Sequence, residues 1–256
     1  MPRFRHIDDA SIVEKIAQLE KRVYERFPER NLPRVCHTLH ETALDTQNRL
    51  AFITRPNWWL RIGIGALVLL VLVGTVAIAA KLAVVDERLT LTELLAAIEA
   101  GLNDLLLISA AIIFLVTLET RIKRRRTLDA LHELRTLAHV IDMHQLTKDP
   151  TRLLLARADT PSSPRESLSP FQLQRYLDYC SEMLSLIGKV AALYVQDLSD
   201  PVVVSAVNDI EGLTTSLSRK IWQKIMIIHN FEGARAEIGA EATPSGIMRV
   251  PPLDDL

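Results

Sequence analysis

Residues 62–80 hold no charged side chain, nineteen positions in succession, and apolar character continues past Lys81 to Val85. A helix of about 20 apolar residues crosses the roughly 30 Å of bilayer hydrocarbon. Trp58, Trp59 and Arg61 lead into the stretch, and amphipathic rings favour the headgroup zone. A helix in a soluble core keeps a polar face over five turns, and this one has none. The stretch therefore reads as a first transmembrane helix over 58–85. Charged residues make up 24% of the chain and net charge is −1, so the apolar excess behind a mean hydropathy of +0.15 is local.

A second uncharged stretch, 105–118, is short for a span by itself. With polar ends at the interface it gives a second transmembrane helix over 105–122; a re-entrant segment is the alternative. Directly after it come Arg121, Lys123, Arg124, Arg125 and Arg126. Basic residues concentrate on the cytoplasmic side of a membrane. The connection 86–104 holds Asp86, Glu87, Glu93, Glu99 and Asp104 against Arg88 alone. Both flanks are accordingly expected inside and the connection outside. This predicts a two-span protein of the plasma (inner) membrane with cytoplasmic N- and C-termini. No apolar core falls within the first 30 residues, so no cleaved signal is expected. Pro2 occupies the place of the glycine that myristoylation requires. Cys36 and Cys180 fall on the reducing side and read as small apolar fillers.

The remaining segments are helical in pattern, and no strand or internal repeat emerges. Over 1–57, Ser11 and Glu14 form a capping box, and Ile12, Ile16, Leu19 and Val23 make one apolar stripe. A second helix is expected over 34–53. Within the external connection, Thr90 and Glu93 open a small amphipathic helix that Gly101 is expected to cap. Residues 123–150 extend the second span, with Leu131, Leu134, Leu137, Ala138 and Ile141 along one side. A Pro- and Ser-rich linker occupies 151–169. Ser169, Pro170 and Gln172 then cap a helix whose seam is Leu173, Leu177, Cys180, Leu184, Ile187, Ala191 and Tyr194. Asp200-Pro201 repeats the signal, and Val203, Val207, Ile210, Thr214, Leu217 and Ile221 form a second seam. The two predict an antiparallel, coiled-coil-like hairpin over 170–232, followed by a flexible tail over 233–256. The expected fold is all-α: a two-span membrane hairpin with a cytoplasmic helical bundle. Seams this regular suggest a homo-oligomer; a monomeric bundle of four or five helices could consume the same stripes.

Polar constellations are few. His132, Arg135, His139 and Asp142 share a helical stripe at about 100° per residue. His139, Asp142 and His144 are candidate metal ligands or acid–base groups. The competing reading is a solvated polar face, and the His-Glu-x-x-His order of zinc hydrolases is absent. Lys81 and Glu119 lie near opposite ends of the spans and are candidates for an ion path, against snorkelling and interfacial pairing. Such a path needs several copies around an axis. Gly63, Gly65 and Ala66 give a small-residue face suited to close helix approach. No glycine-rich phosphate loop, nucleophile elbow or kinase signature occurs, and no cofactor is implied. The basic run attracts anionic headgroups, while its position against the bilayer and lack of interleaved aromatics argue against nucleic acid. The expected role is a non-enzymatic, membrane-anchored interaction or regulatory module with a cytoplasmic protein partner. A channel or transporter subunit and a metal-dependent membrane enzyme are the alternatives.

Overall fold

A computed structural model describes residues 6–54, 58–84, 91–151, 168–196 and 200–241. All regular structure among them is helical: α1 (Asp9–Arg26), α2 (Leu32–Thr54), α3 (Trp58–Val84), α4 (Leu91–Leu146), α5 (Pro170–Gln196) and α6 (Pro201–Glu241). Most of the predicted linker (152–167), the end of the tail (242–256) and the connection at 85–90 lie outside the described residues.

The stripe Ile12, Ile16, Leu19 and Val23 is the buried face of α1. Its start differs from expectation. Asp8, not Ser11, is the N-cap, its carbonyl accepting from the Ile12 amide at 3.3 Å and its carboxylate from the Ser11 hydroxyl at 2.6 Å. The helix thus begins three positions earlier, with Ser11 inside its first turn and no side-chain cap from Asp8 to the backbone. At α5 the capping box forms reciprocally, the Gln172 amide donating to Ser169 Oγ (3.2 Å) and the Ser169 amide to Gln172 Oε1 (3.0 Å).

Two glycines do not act as the sequence suggests. Gly101 lies inside α4, so the expected separate external helix is the first part of one 56-residue helix. Gly233 lies inside α6, which runs on to Glu241 where a tail was expected. One interior glycine costs only about 1 kcal/mol relative to alanine, and the leucines and alanines around Gly101, like the alanines and glutamates after Gly233, outweigh it.

Five elements pack together: α1, α2, the C-terminal part of α4, α5 and α6. α5 is the centre, touching each of the others and burying Leu173, Leu177, Cys180, Leu184, Ile187, Ala191 and Tyr194. The second seam, Val203, Val207, Ile210, Thr214, Leu217 and Ile221, is likewise buried within the one chain. The bundle thus consumes both stripes, and their regularity no longer argues for a homo-oligomer. Each fully buried Leu or Ile contributes about 1.5–3 kcal/mol. The one hydroxyl pair in this core is satisfied, Tyr194 donating to Thr46 Oγ1 at 3.1 Å and Thr46 to the Thr42 carbonyl at 2.8 Å.

Long-range pairs fix the directions. α5 and α6 are antiparallel, since residues 197–200 alone join two helices that pack along one another, with Gly188 of α5 against Thr214 of α6. α4 and α6 run parallel, because Arg124 meets Asp200 and Gln145 meets Lys224. The bidentate Arg49–Glu133 pair (3.0 and 3.2 Å) joins α2 to α4, and Arg22–Glu182 (2.6 Å) joins α1 to α5. The near end of the bundle therefore holds the start of α1, the end of α2, the middle of α4, the end of α5 and the start of α6.

Beyond that end α4 projects alongside α3. Leu67, Leu70, Val71, Gly74 and Thr75 face Asp104, Leu107, Ile108 and Ala111 across a cleft of about 440 Å³. Among the described residues one helix is long and apolar enough to cross a membrane, α4 over Gly101–Leu146, and its apolar window is wholly unburied. The apolar part described in α3, Ile62–Ala77, is shorter.

Candidate functional site: the junction of apolar helix and bundle

α4 changes character over a single stretch. Leu105, Leu106, Leu107, Ile113 and Phe114 are each at least 60% exposed, whereas Ala130, Leu131, Leu134 and Ile141 are in the core. Between the two lies the basic run, and its members divide by partner. Lys123 pairs with Glu119 one turn above at 2.9 Å. Arg124 reaches across to α6, its Nε and Nη2 each 2.7 Å from Asp200 Oδ2. The other oxygen of Asp200 accepts from the amides of Val202 (2.9 Å) and Val203 (3.3 Å), which makes it the cap of α6. One carboxylate thus caps α6 and clasps its start to α4. Burial would raise the Asp200 carboxyl, but the Arg124 hydrogen bond and the two amides outweigh it and hold it below its ordinary range. Arg121 and Arg125 are exposed and one turn apart; Arg126 is exposed at the bundle side of the run.

The predicted polar cluster does not assemble. His132, Arg135 and His139 are exposed along α4. Asp142 instead accepts from Gln145 Nε2 at 2.6 Å, and Lys224 donates to both the carbonyl and Oε1 of Gln145, 2.6 Å each. This closes the C-terminal end of α4. His144 is half-buried; burial, then Lys148 and Arg34, push its imidazole below the ordinary value. Among the described residues no three His, Cys, Asp or Glu side chains could hold a metal ion. Glu119 is tied to Lys123. The side chains of Trp58, Trp59, Arg61 and Lys81 lie outside those described.

A second polar centre was not foreseen. Glu20 of α1 accepts from two imidazoles of α2, Nδ1 of His37 at 2.7 Å and of His40 at 2.6 Å. Glu41 Oε1 lies 3.4 Å from His37 Nε2. Burial would raise the Glu20 carboxyl, but the two imidazoles hold it below its ordinary value. Glu20 first, then Glu41, push His37 up. Beside them is an open cleft of about 560 Å³ with Ala17, Tyr24, Pro33 and Arg34 on its walls. Both Nδ1 atoms are committed to one carboxylate, so the rings latch α1 to α2. The i, i+3 spacing of His37 and His40 is the one trace of this centre in the sequence.

Compared with protein-family models, curated proteins and solved structures, the chain finds no match.

Proposed function

We propose that this chain is a non-enzymatic, membrane-anchored interaction module. In this reading α3 and the apolar part of α4 form a two-span hairpin with both termini cytoplasmic, and the bundle presents a docking face to a protein partner. The carrying observation is the continuity of α4, a single helix of which one part is apolar and exposed and the other is bundle core, with five basic residues at the change. An exposed apolar surface of this extent in water marks an interaction site, and lipid is the solvent that suits both helices. The basic side chains then lie at the inner headgroups, each contributing about 1 kcal/mol with anionic lipid. Gly63 and Gly65 have open space where a side chain would stand, which leaves that part of α3 available to a second copy. On the bundle, Trp222 (61% exposed) and Met226 one turn on form the apolar mark of the docking face.

Two measurements test this. Cysteines introduced at 88 and 236 should react with a membrane-impermeant maleimide from opposite sides, 236 only after permeabilisation. Equal labelling in intact cells overturns the topology. A protein retained by the native chain in mild detergent and released by Trp222→Ala with Met226→Ala supports the docking face; retention by that variant overturns it.

A further inference from the structure

The clasp at Asp200 fixes where the bundle stands relative to the apolar helix, and this exposes a second contact. Arg124 lies six residues past Leu118, the end of the uncharged stretch 105–118, about 9 Å at 1.5 Å per residue. The headgroup zone is about 5–8 Å deep on each side of the hydrocarbon. The first turn of α6, joined to Arg124 through its own cap, is therefore held at the edge of that zone. Its side chains are unusual for a helix start in water. Pro201 is followed by three valines, of which Val203 is buried, whereas Val202 is 47% and Val204 37% exposed. Side chains on a helix tilt toward its N-terminus, here toward the apolar hairpin. No charge follows in α6 until Asp209, about 12 Å further on. Arg121 and Arg125 flank Arg124 on α4, about 60° and 100° around the helix from it, exposed and without an ion pair among the described residues. Acidic groups also face this end: Asp8 and Asp9 at the start of α1, and Asp200 itself, which Arg124 neutralises.

We propose that the first turn of α6 is a membrane-contact element: Val202 and Val204 rest against the headgroups of an anionic bilayer while Arg121 and Arg125 bind lipid phosphates beside them. This rests on the membrane reading of α3 and α4 given above. The bilayer is the occupant because the contact is continuous with the apolar helix and its free charges are cationic. The bundle then rests on the membrane at two points, the α4 crossing and the α6 tip, and anionic lipid sets how firmly.

The test uses the full chain in nanodiscs with phosphatidylglycerol. An environment-sensitive fluorophore is placed on a cysteine introduced at 202 or 204, at 107 as the hydrocarbon control, or at 222 as the solvent control. Lipids brominated close to the glycerol backbone serve as quenchers. The proposal expects quenching at 202 and 204 but not at 222, and its loss when Arg121→Gln and Arg125→Gln are combined. Quenching at 107 with 202 and 204 as solvent-exposed as 222 overturns this contact and leaves the membrane reading standing. Absence of quenching at 107 overturns the membrane reading and this proposal with it. Quenching at 202 that is unchanged in the double glutamine variant overturns the role of the two arginines.

Discussion

Asp200→Asn is the sharpest perturbation of the junction, because asparagine caps a helix as well as aspartate but cannot form the ion pair with Arg124. The carboxylate is 5% exposed and the guanidinium 40%. Breaking a fully buried pair costs about 3–5 kcal/mol, whereas exposed pairs contribute about 1 kcal/mol or less. A pair buried at one end and wet at the other falls between, at about 1–2 kcal/mol after allowing for solvent screening of Arg124. For a domain of this size that lowers the melting temperature by about 2–8 °C. The assay is a double-mutant cycle of Asp200→Asn and Arg124→Met in nanodiscs, read by thermal unfolding and by hydrogen exchange at the amides of Val202, Val203 and Val204. A coupling of about 1–2 kcal/mol is expected, with faster exchange at those three amides in either single variant. The pH dependence adds a sign. The native carboxyl lies below its ordinary value of 3.8, so its stabilisation is present above that value and lost as pH falls through the lower folded one. Asp200→Asn should flatten the acid limb. Additive single effects, within about 0.3 kcal/mol, would refute the clasp.

Three further outcomes follow from the packing. Cys36 and Cys180 are fully buried, and burial pushes both thiols up to about 12, so neither should react with iodoacetamide until the bundle is unfolded by denaturant; fast native alkylation of Cys180 would contradict its place in the core. The His37 imidazole should titrate above its ordinary value of 6.5 by NMR, falling back part of the way in Glu20→Gln because Glu41 still raises it. Its contribution to holding α1 against α2 is complete below that value and lost as pH rises through the raised one, while the Glu20 contribution is lost at the acid end. Tyr194→Phe removes the hydrogen bond to Thr46 without opening a cavity and should cost about 0.5–1.5 kcal/mol in denaturant melts, with Thr46 still satisfied by the Thr42 carbonyl.

What the sequence disclosed was local. The stripe of α1 and the two seams of the hairpin are periodic signals, and every residue read from them is buried. The Ser169–Gln172 box is a contact between neighbours and could be read as one. Helix ends were less legible, because a single glycine such as Gly101 or Gly233 carries a cost that helix-forming neighbours exceed. Partnership through space was not legible at all. Arg124 and Asp200 lie 76 positions apart, and Glu20 finds its histidines on the next helix. Periodicity also does not say what faces a polar stripe: His132, Arg135 and His139 face solvent, whereas Asp142 of the same stripe is taken by Gln145.

The unbroken course of α4 also governs which changes of length the chain can accept. A residue removed from the run between the exposed leucines and Ala130 shortens the helix by about 1.5 Å and rotates everything after it by about 100°. The bundle would swing around the hairpin as a rigid body, carrying Trp222 and the α6 tip to a different azimuth. Substitutions in that stretch alter one side chain at a time, whereas insertions and deletions reset the phase between two halves that the chain otherwise joins only through residues 55–57. Length in this segment should therefore be held fixed, or vary in steps near seven residues, about two full turns, that restore the original facing.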